Sequence, residues 1–310
     1  MNDDFFATTD PKIQAPIGYD DVLSQFSNLL KNQELPPVNL IHSPEGTGKR
    51  KFCEYLASKM LGNSANQYSE LTMHPDLLII DNEGDGAKKE ITIDRARSIK
   101  KFLQYTPAQS SVKVVIIDSI DKLNVNASNS ILKVLEEPTP NSYFLLLCHN
   151  PEKVLDTILS RTHKIKLPKL GKENFSKILE NNNLFEDHEK LFEFFPDQPG
   201  SAINFVESNG LGLFNELDNI LHTKTSFQEK ALLSKYAFKK ELQVFRNILP
   251  IMHYFIFQKI KDEQNDRQIV SKLNDYIRAF YTDFDQVIKL NLDRENFILN
   301  NLFKLKKIYV

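Results

Sequence analysis

The stretch from residue 112 to residue 138, VKVVIIDSIDKLNVNASNSILKVLEEP, decides how the fold is interpreted. Its uninterrupted apolar run, Val114 to Ile117, is typical of a strand that is covered on both faces. Asp118 follows at the carboxyl end of that strand, where ligands bind in open α/β sheets. A helix pattern comes next, which Asn124 can cap and Pro138 ends. The stretch therefore predicts a buried parallel strand, an acidic residue and an amphipathic helix in succession.

A candidate phosphate-binding loop lies nearer the N-terminus. Residues 38–42, VNLIH, predict a short buried strand, and residues 50–61 predict a helix, so the intervening loop has the strand–loop–helix context of a P-loop. Such a loop holds phosphates through backbone N–H groups and one ammonium. The loop residues that could hold a nucleotide are Gly46, Thr47, Gly48 and Lys49. Asp118, the acidic residue after the central strand, could contribute to the same site.

Three positions, two in this loop and one after the central strand, depart from the pattern of an active nucleotide site. Ser43 replaces the first glycine of GxxxxGK[ST], and Arg50 replaces the Ser or Thr whose hydroxyl would bind Mg²⁺. Ser119 follows Asp118 where a Glu would orient the attacking water, and a hydroxyl is a poor substitute for that carboxylate. These residues leave three outcomes open: hydrolysis, a nucleotide that is bound but not hydrolysed, and a loop that is only a structural turn.

The strand, the acidic residue and the helix ending in Glu136-Glu137-Pro138 resemble the AAA+ modules of the DNA clamp-loader family. Residues 131–138 are similar to the LLKxLEEP helix of that family, and Leu159-Ser160-Arg161-Thr162 is similar to its Ser-Arg-Cys motif, with Thr162 in place of Cys. The resemblance implies that Arg161, beside Ser160, is an arginine finger for ATP on a neighbouring subunit. Such a finger can raise turnover by about 10³–10⁵. The alternative is a surface arginine that precedes a strand.

The resemblance also implies the architecture. It predicts an α/β P-loop AAA+ core, with a parallel sheet and helices on both faces, over residues 1–168. A small helical lid would cover residues 169–209, and an all-α collar domain for oligomerisation would cover residues 210–310. Active relatives place a further arginine near the lid turn, where this chain has Pro199-Gly200-Ser201-Ala202 and no Arg.

This chain keeps Ser160-Arg161 and lacks several catalytic groups. In this pattern it resembles the delta-prime branch of the family. The resemblance implies a stator without ATPase activity of its own, within a DNA polymerase III (nucleotidyltransferase) holoenzyme, that helps to load the sliding clamp onto primed DNA. The implied partners are the motor (gamma/tau) and delta subunits, with the clamp and primed DNA reached through the complex. An active motor ATPase with divergent motifs is one alternative, and a nucleic-acid-binding module that acts alone is another.

Composition and charge narrow these alternatives. The formal net charge of the 310 residues is −2, which gives no overall basic signal for nucleic acid and argues against a module that binds it alone. The first ten residues, MNDDFFATTD, lack the pattern of a signal peptide, and no stretch reaches the roughly 18 apolar residues of a membrane span. We therefore expect a cytoplasmic protein with no membrane partner.

Cysteine and histidine usage predicts no zinc or other metal site, and the resemblance implies no required cofactor, with ATP bound but not hydrolysed as an open outcome. Cys53 and Cys148 are far apart in sequence, and His74 alone cannot form a structural zinc site, which needs four ligands. Cys148 and His149 are neighbours at the end of a predicted strand, where adjacent side chains point to opposite faces. We therefore do not expect them to form a nucleophile–base pair.

Overall fold

The computed structural model describes residues 12–62, 67–81, 93–185, 187–222, 236, 238, 241–264 and 266–309. The described residues divide into two compact units, one ending at Ile178 and the other beginning at Leu179. Residues predicted as the AAA+ core lie in the first unit, and residues predicted as the collar lie in the second. The predicted lid, residues 169–209, contributes to both units, and the division into core, lid and collar stays a prediction.

A five-stranded parallel sheet is the framework of the first unit. Its strands in chain order are β1 (Val38–His42), β2 (Leu77–Ile80), β3 (Lys113–Ile117), β4 (Ser142–Cys148) and β5 (His163–Lys166). They lie in the order β2-β3-β4-β1-β5, and each neighbouring pair is parallel. This arrangement confirms the predicted parallel sheet.

The helices of the first unit precede, connect and follow these strands. They are α1 (Asp20–Lys31), α2 (Lys49–Leu61), α3 (Tyr68–Thr72), α4 (Ile93–Leu103), α5 (Val125–Glu136), α6 (Asp156–Leu159) and the start of α7 (Gly171–Glu180). Because the strands are parallel, each connection runs from the carboxyl end of one strand over a face of the sheet to the amino end of the next. The carboxyl ends of all five strands therefore lie at one edge of the sheet.

Alternate residues of the strands face two separate apolar clusters. In β3, Val114 and Ile116 belong to the cluster that contains residues of α1 and α2. Val115 and Ile117 belong to the other cluster, which contains residues of α4, α5 and α6. Successive side chains of a strand point to opposite faces, so helices cover both faces of the sheet. This two-sided cover confirms the prediction and explains why β3 is a continuous apolar run.

Helix α5 begins and packs as its sequence predicts. Asn124 Oδ1 accepts a hydrogen bond of 2.8 Å from the backbone N–H of Ala127, which caps the first turn. Ala127, Ile131 and Leu135 are buried at i, i+4 and i+8, so one stripe of the helix contributes to the core.

In the described residues of the second unit, all regular secondary structure is helical. Its helices are α8 (His188–Phe194), α9 (Pro199–Glu207), α10 (Gly210–His222), α11 (Leu242–Arg246), α12 (Ile248–Asp262), α13 (Arg267–Lys289) and α14 (Arg294–Tyr309). Aromatic rings fill its core: Phe245 stacks on Phe284 with ring centroids 4.9 Å apart, and Phe194 contacts Phe214 at 5.3 Å. This confirms a helical C-terminal region.

In the ranges that the structure describes, no helix is both long enough and apolar enough to cross a membrane.

Candidate functional site

The candidate site lies at the carboxyl edge of the sheet. The loop after β1 starts at Ser43, Asp81 follows β2, Asp118 follows β3, and His149 follows β4. Parallel strands end at the same edge, so side chains that are far apart in sequence converge there. This edge is where the sequence predicted a nucleotide site.

Two glycines shape the loop between β1 and α2. Gly46 and Gly48 have φ values of 78° and 90°, the left-handed region that glycine adopts without steric cost. Gly48 also immediately precedes the first residue of α2. The loop therefore has the backbone turn that the sequence predicted before a helix N-terminus.

The side chain of Lys49 is turned into this loop. Its Nζ donates hydrogen bonds of 2.6 Å to the backbone carbonyls of Ser43 and Pro44, and the residue is only 3% exposed. Burial lowers the pKa of Lys49 to about 8. The ammonium that would contact phosphates is thus held by carbonyls of its own loop.

Thr47 is also held from within the unit. Its Oγ1 lies 2.6 Å from Ser43 Oγ, and its backbone carbonyl accepts a hydrogen bond of 2.7 Å from the hydroxyl of Tyr19. Tyr19 in turn packs edge-on against Phe52 of α2, with ring centroids 5.7 Å apart. The residue that replaces the first glycine of the motif, Ser43, therefore stabilises the loop by a side-chain hydrogen bond.

The guanidinium of Arg50 lies among three carboxylates at this edge. Its Nε is 2.5 Å from Glu54 Oε1, and its Nη1 is 2.5 Å from Asp81 Oδ1 and 3.1 Å from Asp118 Oδ2. Burial alone would lower the pKa of Arg50, but hydrogen bonds to Asp81 and Glu54 raise it. Burial raises the pKa of Glu54 against the opposing effect of Arg50. The arginine is a permanently charged partner for these acids.

These contacts do not fit a bound Mg²⁺. Asp118, which would help to hold the metal ion, already pairs with the positive charge of Arg50, and Arg50 has no oxygen to offer a metal ion. Among the described residues, no group of three or more His, Cys, Asp or Glu side chains is arranged to hold a metal ion. The site therefore lacks the arrangement through which a P-loop would hold a nucleotide with its metal.

Ser119 has the position where an active relative would have a carboxylate. It is buried with φ of 61°, and its Oγ lies 3.1 Å from Asp118 Oδ1 and 2.9 Å from His149 Nε2. Asp121 Oδ1 accepts a hydrogen bond of 3.0 Å from the backbone N–H of His149. Burial, followed by the charge of Lys49, lowers the pKa of His149. These contacts join the ends of β3 and β4 by hydrogen bonds.

The side chains of Cys148 and His149 make different contacts, although both residues lie close to Asp121. Cys148 is fully buried in the cluster with α4 and α5, and burial raises the pKa of its thiol to about 12. His149 instead contacts Ser119. A protonated, buried thiol is a weak nucleophile, which agrees with the expectation that the two do not form a catalytic pair.

Arg161 lies at the surface, immediately after the short helix α6 and Ser160. Its Nη1 donates to the carbonyl of Thr157 at 2.6 Å and contacts Ser160 Oγ at 3.2 Å. Its Nη2 lies 2.6 Å from Glu136 Oε1, and the side chain is 35% exposed. The arginine is thus held by its own unit and still faces solvent.

The predicted site residues fall into two groups in the structure. The residues of the candidate nucleotide loop and Asp118 lie together at the carboxyl edge of the sheet, and Ser160 and Arg161 lie beside the end of α5. Sequence reasoning did not include Asp81, Glu54 or Glu136 in either group. Asp81 follows a strand as Asp118 does, so the same positional rule could have identified it. The contacts of Glu54 and Glu136 depend on side-chain geometry.

Comparison with protein families identifies residues 18–171 as a match to the family described as DNA polymerase III, delta subunit. These residues include the sheet, the loop after β1 and Arg161. The helices of the second unit lie outside the matched region.

Curated relatives carry related names. The chain is 30% identical to DNA polymerase III subunit delta' of Pseudomonas aeruginosa over 56% of each chain. It is 25% identical to subunit delta' of Bacillus subtilis, over 63% of this chain and 70% of that one. It is also 28% identical to subunit tau of Escherichia coli, over 56% of this chain and 28% of that one. The chain spans 54–58% of the length of three of its delta' relatives.

A solved structure supports the fold. A DNA polymerase III, gamma subunit-related protein from Thermotoga maritima aligns with a TM-score of 0.55, over 92% of this chain and 100% of that one. The two are 18% identical, so this likeness concerns the arrangement of the chain alone.

Proposed function

We propose that the chain, whose residues 18–171 match the family described as DNA polymerase III, delta subunit, is a clamp-loader subunit of the delta-prime type. In this role it is a stator that hydrolyses no ATP and presents Arg161 to ATP on a neighbouring subunit. The names of its relatives, delta', tau and gamma, support a place in a clamp-loader complex.

The contact between Arg50 and Asp118 carries the proposal that the chain itself is not an ATPase. A guanidinium beside Asp118 supplies the positive charge that a metal ion would supply, and it repels a second cation from the same place. Lys49 is engaged with two loop carbonyls, and Ser119 replaces the carboxylate that would orient water. Without metal and an oriented water, a P-loop has little means of hydrolysis.

The exposure of Arg161 supports the second half of the proposal. An arginine finger must reach phosphates on another chain, so its guanidinium has to face outward and keep donors available. Arg161 is partly exposed, and it contacts Thr157, Ser160 and Glu136. Its donation to a developing negative charge would lower the barrier at the site of the neighbour.

The partners follow from this role. We propose that the chain assembles with gamma/tau-type motor subunits and a delta subunit in the cytoplasm, and reaches the sliding clamp and primed DNA through that complex. No cofactor of its own is required for this task. Binding of ATP without hydrolysis stays open, and the melting temperature of the natural chain with and without Mg²⁺ and ATP distinguishes it from an empty loop.

The proposal is tested by ATP turnover in the presence of clamp and primed DNA. Three samples are compared: this chain alone, the motor and delta subunits without it, and all of them together. We expect no turnover from the chain alone and a large rise when it is added to the others.

The contribution of Arg161 is tested by Arg161→Ala in the complete complex. We expect assembly on a sizing column to be retained and turnover to fall by about tenfold or more, because the charge on the transferring phosphate loses a donor. Full turnover by an assembled Arg161→Ala complex would refute the finger. Turnover by the chain alone, abolished by Lys49→Ala, would instead favour an active motor.

A further inference from the structure

Arg161 is held at three points by its own unit, and one of them is a carboxylate on a different helix. Thr157 and Ser160 belong to the same short segment as Arg161, whereas Glu136 is the last residue of α5. We propose that Glu136 is a positioning residue that orients Arg161 for its neighbour. This inference rests on the proposed function, because it concerns the same arginine.

Helix α5 is a rigid carrier for Glu136. The preceding residue, Leu135, is buried, as is Ile131 one turn earlier. Helix α6 packs in the same apolar cluster through Ile158, three residues before Arg161. Both partners of the ion pair are therefore attached to the core, and their 2.6 Å separation is a consequence of how α5 and α6 pack.

The geometry leaves donors for a phosphate. A guanidinium has five N–H groups in a planar fork. Among the described residues, the contacts of Arg161 involve Nη1 twice and Nη2 once. The Nε–H and one N–H of Nη2 stay available on the same plane. Glu136 thus fixes the plane of the fork without using all of its donors.

Fixing the fork in advance favours catalysis in the complex. A long arginine side chain loses rotamer freedom when it docks, and a side chain that is already ordered loses less. An interaction made before docking therefore increases the fraction of complexes in which the donors face the phosphate.

The opposite role for Glu136 would be a latch that retains Arg161 and must open first. The two roles predict changes of turnover in opposite directions.

The experiment measures clamp- and DNA-stimulated turnover by the complete complex with Glu136→Ala. We expect kcat to fall about 2- to 5-fold, the size of effect that a partly exposed ion pair produces, with KM for ATP unchanged. Glu136→Gln keeps an oxygen acceptor for Nη2 and is expected to lose less. Glu137→Ala is the matched control: it removes the same charge from the adjacent exposed residue and is expected to leave kcat unchanged.

A double variant separates positioning from a general structural effect. If Glu136 acts through Arg161, Glu136→Ala in the Arg161→Ala background changes turnover no further. A further loss in that background would overturn the proposal, as would unchanged or increased turnover in Glu136→Ala alone. The proposed function fails separately: in that case Arg161→Ala itself leaves turnover intact. A fall with Arg161→Ala and none with Glu136→Ala would remove only the positioning role.

Discussion

The guanidinium of Arg50 replaces two parts of a metal site at once. It supplies a positive charge to Asp118, and it takes the place of the hydroxyl that the P-loop pattern has at this position. Glu54 and Asp81 complete its environment, so the substitution from hydroxyl to guanidinium is accommodated by acids from α2 and the end of β2. A single residue thus changes the chemistry of the whole edge.

Arg50→Thr is expected to lower stability and to create sensitivity to nucleotide. The change removes the guanidinium that pairs with three carboxylates, which we expect to cost about 1–3 kcal/mol of unfolding free energy. It also introduces the hydroxyl that the P-loop pattern requires. Thermal unfolding should therefore show a melting temperature that rises with Mg²⁺ and ATP in the variant and stays constant in the natural chain.

Arg50→Lys is the control for this prediction. It keeps a positive charge near Asp118 but loses the planar fork, so we expect some loss of stability and no response to nucleotide. If the natural chain were stabilised by Mg²⁺ and ATP as strongly as the threonine variant, the interpretation of Arg50 would be wrong.

At the scale of elements, a buried carboxylate joins the start of β2 to the loop before β3. Asp76 is fully buried, and its oxygens accept hydrogen bonds of 2.6, 2.8 and 2.8 Å from the backbone N–H groups of Ala108, Gln109 and Ser110. Burial alone would raise the pKa of Asp76, but these backbone hydrogen bonds lower it. The carboxylate therefore holds a loop whose backbone donors would otherwise be unpaired.

Asp76→Asn is expected to destabilise the first unit by about 2–3 kcal/mol at pH 7, because an amide group faces N–H donors. The folded pKa lies below the ordinary value of 3.8, so the carboxylate contributes stability above that value. The contribution is lost as pH falls through the lowered folded pKa. Urea unfolding should show the full difference at pH 7 and pH 5 and a smaller difference at pH 3.

The matched control at this scale is Asp21→Asn, which removes an exposed carboxylate from the first turn of α1. We expect it to change stability by less than about 0.5 kcal/mol. A loss for Asp76→Asn no larger than that of Asp21→Asn would show that the backbone hydrogen bonds of Asp76 contribute little.

At the scale of the whole molecule, each of the two units has its own apolar core. Ile131 is buried beneath α5 in the first unit, and Phe245 is buried against Phe284 in the second. Units with separate cores can unfold in separate steps. The residues that carry the proposed function, Arg161 among them, all belong to the first unit.

Calorimetry of two core variants tests this division. Ile131→Ala is expected to cost about 2–5 kcal/mol and Phe245→Ala about 3–5 kcal/mol, because each leaves a cavity. We expect the first to lower one thermal transition and the second to lower the other. A single transition that both variants shift equally would mean that the two units unfold together.

The amino-acid sequence by itself determined the strands β1 and β3, the helices α2 and α5, and the loop after β1. Apolar runs marked the buried strands, Asn124 and Pro138 marked the limits of α5, and paired glycines marked the turn after β1, because these signals depend on neighbours a few residues apart. The sequence also showed that Arg50 stands where the motif has a hydroxyl residue, and that Ser160 and Arg161 are both present. Residue types alone indicated a site unsuited to hydrolysis.

Only the tertiary structure decided which side chains meet. Arg50 contacts Asp81 and Asp118 because α2 packs in the apolar cluster that also contains residues of β2 and β3. Glu136 meets Arg161 because α5 and α6 pack in one apolar cluster on the same face of the sheet. Such contacts join residues that are 25 to 68 positions apart in the chain, and local patterns carry no information about separations of that length.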